Sequence, residues 1–169
     1  MTRLCIVPCG KAKIWDRVPH AGPTAAFAAY TGPLARATRS YAERFHAQSW
    51  TILSARHGFL APHDMVPGPY EVSFARRSPG RIAPEALARQ ALRLGLGPGD
   101  EVIVVAGAAY VRAVLQAVRA TGACVRAPLA GRGGLGRMVQ ALVRAVASGH
   151  ELAAGPDLRV PPAPDQASR

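Results

Sequence analysis

The stretch Glu101 to Gly107, EVIVVAG, decides the fold. Val102 to Val105 are four β-branched residues in succession with no polar alternation, the pattern of a strand buried on both faces beneath covering helices. Gly107 lets the chain break into a helix over about 108–120, where Val111, Val114, Leu115 and Val118 share one face, and Gly122 closes it. A doubly buried strand feeding an amphipathic helix is half of a βαβ unit, so further parallel strands are expected beside it.

Working outward, Ala123 to Ala127 reads as a weaker strand. It is followed by a glycine-rich turn, Gly131-Arg132-Gly133-Gly134, and a helix to about 147 carrying Leu135, Met138, Val139, Leu142 and Val146. Upstream, Pro84-Glu85 opens a helix to about Leu94, with proline at the first helical position and a carboxylate at the positive end of the helix dipole. Residues 3–8, RLCIVP, form another continuous apolar strand. A helix over about 34–47, apolar at Leu34, Ala37, Tyr41 and Phe45, carries the chain to a strand at Trp50 to Ser54. The spacing predicts one three-layer α/β domain over residues 1–152 with a four-stranded, mainly parallel sheet. Residues 153–169, rich in proline and alanine without a periodic apolar face, are expected to be a disordered tail.

Composition narrows the class. The chain has 169 residues, enough to bury a core without metal or disulfide staples, and no apolar run approaches the roughly 18 residues of a membrane span. The N-terminus has too short an apolar segment for a signal peptide, so a cytoplasmic protein without a membrane partner is expected. Three cysteines, Cys5, Cys9 and Cys124, form no CxxC pair; neither disulfides, nor a metal site, nor a cofactor is suggested. The net charge of +11 favours anionic partners, nucleic acid or a nucleotide. All but two of the 21 basic residues are arginine, scattered singly as a GC-rich coding bias would leave them, so the charge permits such a partner without proving one.

Each expected strand ends in a loop of glycine or polar residues. In a parallel sheet these loops share the carboxyl edge, where ligands bind beside the N-termini of the following helices. After the first strand come Cys9, Gly10, Lys11 and Lys13: a backbone free to turn, two point charges for phosphate, and a thiol that is either a nucleophile or a small core residue. After the Trp50 strand come Ser54, Arg56, His57 and Gly58, and a proline-stiffened loop then presents Asp64, Tyr70 and Glu71. Gly107 follows the third strand. Gly131, Arg132 and Gly133 follow the fourth and resemble a phosphate cradle, but no Lys-Ser/Thr completes a Walker A motif.

At these residues the chain resembles a family of small bacterial and phage proteins known as a domain of unknown function, distantly similar to the YaaA peroxide-stress proteins. The resemblance covers about residues 4–146. It rests on Cys9-Gly10 with Lys11 and Lys13, Ala29 to Leu34 with Tyr30, Trp50 to Gly58, Pro69-Tyr70-Glu71, Ala106-Gly107 with Tyr110, and Pro128 to Gly131 with Gly136. It implies a fold similar to the uracil-DNA glycosylase type, DNA binding as in the YaaA relatives, and kinship with nucleobase-handling domains; it adds Tyr30 and Tyr110 to the ligand-binding set. Arg56-His57 stands where Lys followed by His or Tyr is common, and the Pro62–Pro69 segment is one residue longer than the pattern.

The residues and the resemblance together predict an enzyme acting on a nucleobase or nucleoside-type group, through N-glycosidic cleavage or base transfer in nucleic acid or a nucleotide. Glu71 or Asp64 would face the developing positive charge, His57 would serve the leaving base, and the cations would hold phosphate. The alternative expectation is a non-catalytic DNA-binding or stress-response protein, with a nucleotide-sensing module as a third possibility.

Overall fold

A computed structural model of the chain describes residues 1–159. In chain order it contains β1 (Arg3–Pro8), a 3-10 turn (Ile14–Asp16), β2 (Thr24–Ala25), α1 (Ala26–Ala29), α2 (Pro33–Phe45), β3 (Trp50–Ser54), β4 (Gly58–Leu60) and β5 (Met65–Val66). Then follow α3 (Pro84–Arg93), β6 (Glu101–Val104), α4 (Ala108–Val118), a second 3-10 turn (Arg119–Thr121), β7 (Cys124–Arg126) and α5 (Leu135–Ser148).

The main sheet runs β4-β3-β1-β6-β7. β1 pairs in parallel with β3 and β6, β6 pairs in parallel with β7, and β4 is antiparallel to β3. The expected count of four strands is therefore corrected to five. Gly58, read as the end of the turn after Ser54, instead begins a strand, Gly58-Phe59-Leu60, that folds back on β3 because Gly58 adopts φ +78, which closes a tight reversal. β2 and β5 form a separate two-stranded ladder, the second strand lying in the segment expected as a proline-stiffened loop.

The continuous apolar runs are buried on both sides, as their sequence required. Leu4 and Ile6 of β1 belong to one core layer with Leu87, Val104 and Val114, whereas Cys5 and Val7 belong to the other with Tyr41, Val105 and Leu142. The first layer lies under α3 and α4, which pack together, and the second under α2 and α5. Helices on both faces make the expected three layers. Prolines at the first turns of α2 and α3, and Gly122 and Gly149 at positive φ after helical segments, mark the boundaries their chemistry favours.

At the amino edge of the sheet, Arg3 joins Glu101 at 2.9 Å and Glu151 at 3.0 Å, and Arg126 joins Glu101 at 3.1 Å. His46, buried after α2, lies 3.0 Å from Glu151. This network ties the start of two strands to the segment beyond α5. The segment expected as a tail continues along β7, with Asp157 bridged to Arg126 and the Leu158 N–H donating to the Val125 carbonyl. Residues 160–169 of that expected tail lie outside the described residues. Among the described residues no helix is long and apolar enough to cross a membrane.

Candidate functional site

The chain changes direction at β1. It moves to β3 through α2 on one face of the sheet, and from β6 to β7 through α4 on the other, so the loops after β1 and β6 part company at the carboxyl edge. Such a switch point opens a crevice in an α/β sheet. Cys9 leaves β1 there and Tyr110 sits in the first turn of α4; the thiol and the hydroxyl hydrogen-bond across the divide at 3.2 Å. Gly107 caps α4 with its carbonyl, which accepts the N–H groups of Tyr110 and Val111. Phe74 packs edge-on against the Tyr110 ring at 5.2 Å.

Beside this pair is a cluster centred on Tyr70. Its hydroxyl lies 2.7 Å from Ser54 Oγ and 2.6 Å from the Tyr30 hydroxyl. Ser54 Oγ also accepts the backbone N–H groups of Arg56 at 3.2 Å and His57 at 3.0 Å, which shapes the strand-end turn. With both lone pairs so used, Ser54 gives its own proton to Tyr70. Lys13 Nζ lies 4.4 Å from the centroid of the Tyr70 ring and donates to the Lys11 carbonyl at 3.0 Å. The Arg56 guanidinium is 5.9 Å from the same ring, and the His57 ring meets it edge-on at 5.2 Å. An antiparallel bridge between Lys13 and Tyr30 brings the loop after β1 to the end of α1.

The floor of this site is closed and its rim is open. Cys9, Lys13, Tyr30, Ser54 and Tyr70 are buried, while Lys11, Arg56 and Glu71 are exposed and His57 and Tyr110 are half-buried. Burial pulls the Lys13 ammonium below its usual range, against the opposing influence of Cys9, Asp16 and Glu71. Burial likewise lowers His57, with Arg56 adding to the effect, so its imidazole is neutral at pH 7. Burial raises all three phenols, Tyr30 to about 12 and Tyr70 and Tyr110 further, with Cys9 adding to each.

Protonated phenols permit a count of donors. The Ser54, Tyr70 and Tyr30 hydroxyls carry three protons for two oxygen-to-oxygen contacts, which leaves one phenolic O–H to give away. Tyr110 adds its own phenolic proton at its contact with Cys9. Lys13 has three N–H bonds, one of them on the Lys11 carbonyl. The spare capacity of the floor is thus in donors, which suits a ligand rich in acceptor oxygens or ring nitrogens.

Of the residues singled out in the sequence, the structure gathers Cys9, Lys11, Lys13, Tyr30, Ser54, Arg56, His57, Tyr70 and Tyr110 here. Glu71 is close enough for its charge to act on Lys13, and the Gly10 backbone acts on Tyr110 to oppose the rise of its phenol. Gly58 begins β4, at the far side of the strand-end turn. Asp64 is placed in the turn before β5, where its carboxylate accepts the Ala61 N–H at 2.8 Å. Gly131, Arg132 and Gly133 lie in an exposed loop after β7, and Arg132 Nε donates to the Pro128 carbonyl. Gln90 of α3 was not anticipated. Its amide oxygen accepts the Phe59 N–H at 2.8 Å and its amide nitrogen donates to the His57 carbonyl at 3.0 Å, clamping the His57 turn. In sequence it reads as one more polar residue on a helix surface. Among the described residues no three His, Cys, Asp or Glu side chains gather where a metal could be held.

The architecture and this edge define an open α/β domain with a buried tyrosine and lysine cluster at its switch point. The chain belongs to a family of unknown function, DUF6884, the match spanning residues 4–144. It is similar to the uncharacterized protein YfjM of Bacillus subtilis (strain 168), 45% identical over 152 residues, which are 90% of this chain and 100% of that protein. No solved structure matches the chain.

Proposed function

We propose that the protein is an enzyme acting on a nucleobase or nucleoside-type group, by cleaving an N-glycosidic bond or transferring the base in a nucleotide or nucleic acid. The observation that carries this reading is the donor-rich floor: Lys13 against the Tyr70 ring, with a spare phenolic proton beside it. Phosphate oxygens and the carbonyl edge of a base are the acceptors such a floor suits. Lys11 and Arg56 at the rim supply further positive charge for phosphate. Glu71, exposed next to Tyr70, would stabilise the positive charge that grows on the sugar as the base departs. His57, neutral at pH 7, would donate a ring N–H to the departing base or accept a proton from the attacking water. Kinship with the uracil-DNA glycosylase type and with the YaaA proteins forms part of the same proposal.

The test is release of free base, followed by chromatography, from a panel of nucleosides, nucleotides and short DNA and RNA strands. Release by the wild type that is lost in Glu71→Gln supports the reading. Thermal stabilisation by a nucleotide, dependent on Lys13 but without base release from any substrate, leaves the second reading: a non-catalytic DNA-binding or stress-response protein, which the net charge of +11 also favours.

A further inference from the structure

A groove of about 750 Å³ runs along α5, away from the Tyr70 cluster. Its lining includes Arg132, Arg137, Gln140, Arg144, Ser148 and His150. Arg137, Arg144 and Ser148 stand at helical positions i, i+7 and i+11, a single stripe on the face of α5 opposite Leu142, which is buried in the core. Seven residues at about 1.5 Å each separate the two arginines by roughly 10 Å along the axis. Arg44 adds another charge at the end of the helix, its guanidinium lying against Gly149.

Two features make this stripe more than a solvated face. The sequence of α5, LGRMVQALVRAVAS, contains no Asp or Glu, and among the described residues no carboxylate lies within ion-pair distance of Arg132, Arg137 or Arg144. On α2, by contrast, Arg39 has Glu43 one turn away. Of the helix residues between the two arginines, Gln140 and Ala141 line the groove, and Leu152, the large apolar residue of the lining, lies beyond the end of α5. A row of planar, permanently charged, bidentate donors without carboxylates of its own is complementary to a row of phosphates.

We propose that the α5 groove is a docking surface for the phosphate backbone of a nucleic-acid strand, separate from the Tyr70 cluster. Contacts of this kind position a strand without reading its sequence, so binding here is tolerant of sequence and falls steeply with salt. The inference does not depend on the proposed chemistry, because neither Arg137 nor Arg144 belongs to that site.

The experiment is fluorescence anisotropy of labelled single-stranded and double-stranded oligonucleotides across a salt series. Wild type is compared with Arg137→Gln/Arg144→Gln and with Arg89→Gln/Arg93→Gln, which removes the same charge from α3 in the opposite layer. The α5 pair should weaken binding and flatten the plot of log K against log salt by about 1.4 to 1.8, two phosphate contacts' worth, while the α3 pair retains the wild-type slope. Arg137→Lys/Arg144→Lys, which keeps charge but loses the fork, should retain most of the slope and so separates a binding defect from a folding one. Equal loss in the α5 and α3 pairs overturns the proposal in favour of diffuse charge. So do absence of binding by the wild type at low salt, and an α5-dependent attachment to anionic vesicles or poly-glutamate without one to oligonucleotides. Base release from free nucleosides, if the wild type performs it, is unchanged in the α5 pair.

Discussion

Lys13 Nζ stands 4.4 Å from the centroid of the Tyr70 ring, in a place almost closed to water. A cation held against a ring when desolvated gains on the order of 2 kcal/mol, but that gain is set against a desolvation cost of several kcal/mol for the ion. The balance predicts that Lys13→Met, which keeps length and removes charge, leaves stability within about 1 kcal/mol of wild type or raises it. The same variant should lose nucleotide-induced thermal stabilisation. Urea denaturation with and without nucleotide makes the comparison, and a large drop in stability together with retained ligand response would show Lys13 to be a structural residue.

Tyr70→Phe keeps the ring under Lys13 and removes the hydroxyl between Ser54 and Tyr30. It leaves the Ser54 proton without its acceptor in a buried place, at a cost of about 1–3 kcal/mol. The paired change Ser54→Ala with Tyr70→Phe should cost less than the sum of the single changes, since both partners leave together. Strict additivity in denaturation midpoints would break the hydroxyl chain as an energetic unit.

Gly58→Ala combines two penalties: a backbone at φ +78, and a Cβ that would sit 2.0 Å from Gln90 Oε1. The expected loss is about 2–3 kcal/mol, part strain and part displacement of the clamp on the His57 turn. Gln90→Ala removes the closer clash and leaves the strain and a 2.8 Å approach to Ile82 Cδ1, the end of a flexible side chain, so in the double variant Gly58→Ala should cost only about 1 kcal/mol more than Gln90→Ala alone. Four denaturation curves complete this cycle, and equal costs of Gly58→Ala in both backgrounds would refute the steric account.

Acid should destabilise the protein before its carboxylates titrate. Burial holds His46 below its ordinary value despite Glu151 beside it, with Arg3 acting in the same direction as burial, and His57 is lowered as well. A folded-state value below the unfolded one means that, as pH falls through about 6.5, the unfolded chain takes up protons the native state resists. Stability is therefore full above that pH and declines below it. Melting temperature measured from pH 8 to 5.5, above the range where Glu101 protonates, should fall for the wild type and fall less steeply for His46→Gln. Parallel curves would remove His46 from the explanation.

The layers were legible because each rests on a run of residues with one strong preference. EVIVVAG and RLCIVP could be little other than doubly buried strands, and the four long helices carried periodic apolar faces. β4 was hidden because three residues starting with glycine carry no strand signature; only pairing with β3 makes Gly58-Phe59-Leu60 extended. β2 and β5 have two residues each and proline nearby, too short for any pattern to register. In the site, the strand-end rule brought Cys9, Ser54 and His57 to one edge, but it treats every loop alike. It could not foresee that Asp64 would be occupied by Ala61, or that Lys13 would turn inward to Tyr70 when Lys11 stays exposed. Those outcomes depend on contacts between segments distant in sequence, as does the Gln90 clamp.

The catalytic reading turns on Glu71. Among the described residues its carboxylate makes no ion pair within 4.0 Å, so the simplest structural role, pinning its loop to an arginine, has no contact behind it. Its charge acts on Lys13, which Glu71→Gln would leave in a still less favourable position for an ammonium. Glu71→Gln should therefore change melting temperature little while lowering turnover by orders of magnitude, if the carboxylate stabilises a cationic transition state. The pH profile supplies an independent check. With His57 lowered by burial and Arg56, an enzyme that needs the neutral imidazole should be fully active at pH 7 and lose activity along an acid limb whose midpoint lies below the ordinary histidine value of about 6.5. His57→Gln should abolish that acid limb and reduce the plateau, whereas a His57 that serves only to pack edge-on against Tyr70 would leave the limb where it was. An acid limb unchanged in His57→Gln, together with full turnover in Glu71→Gln, would remove both residues from the chemistry.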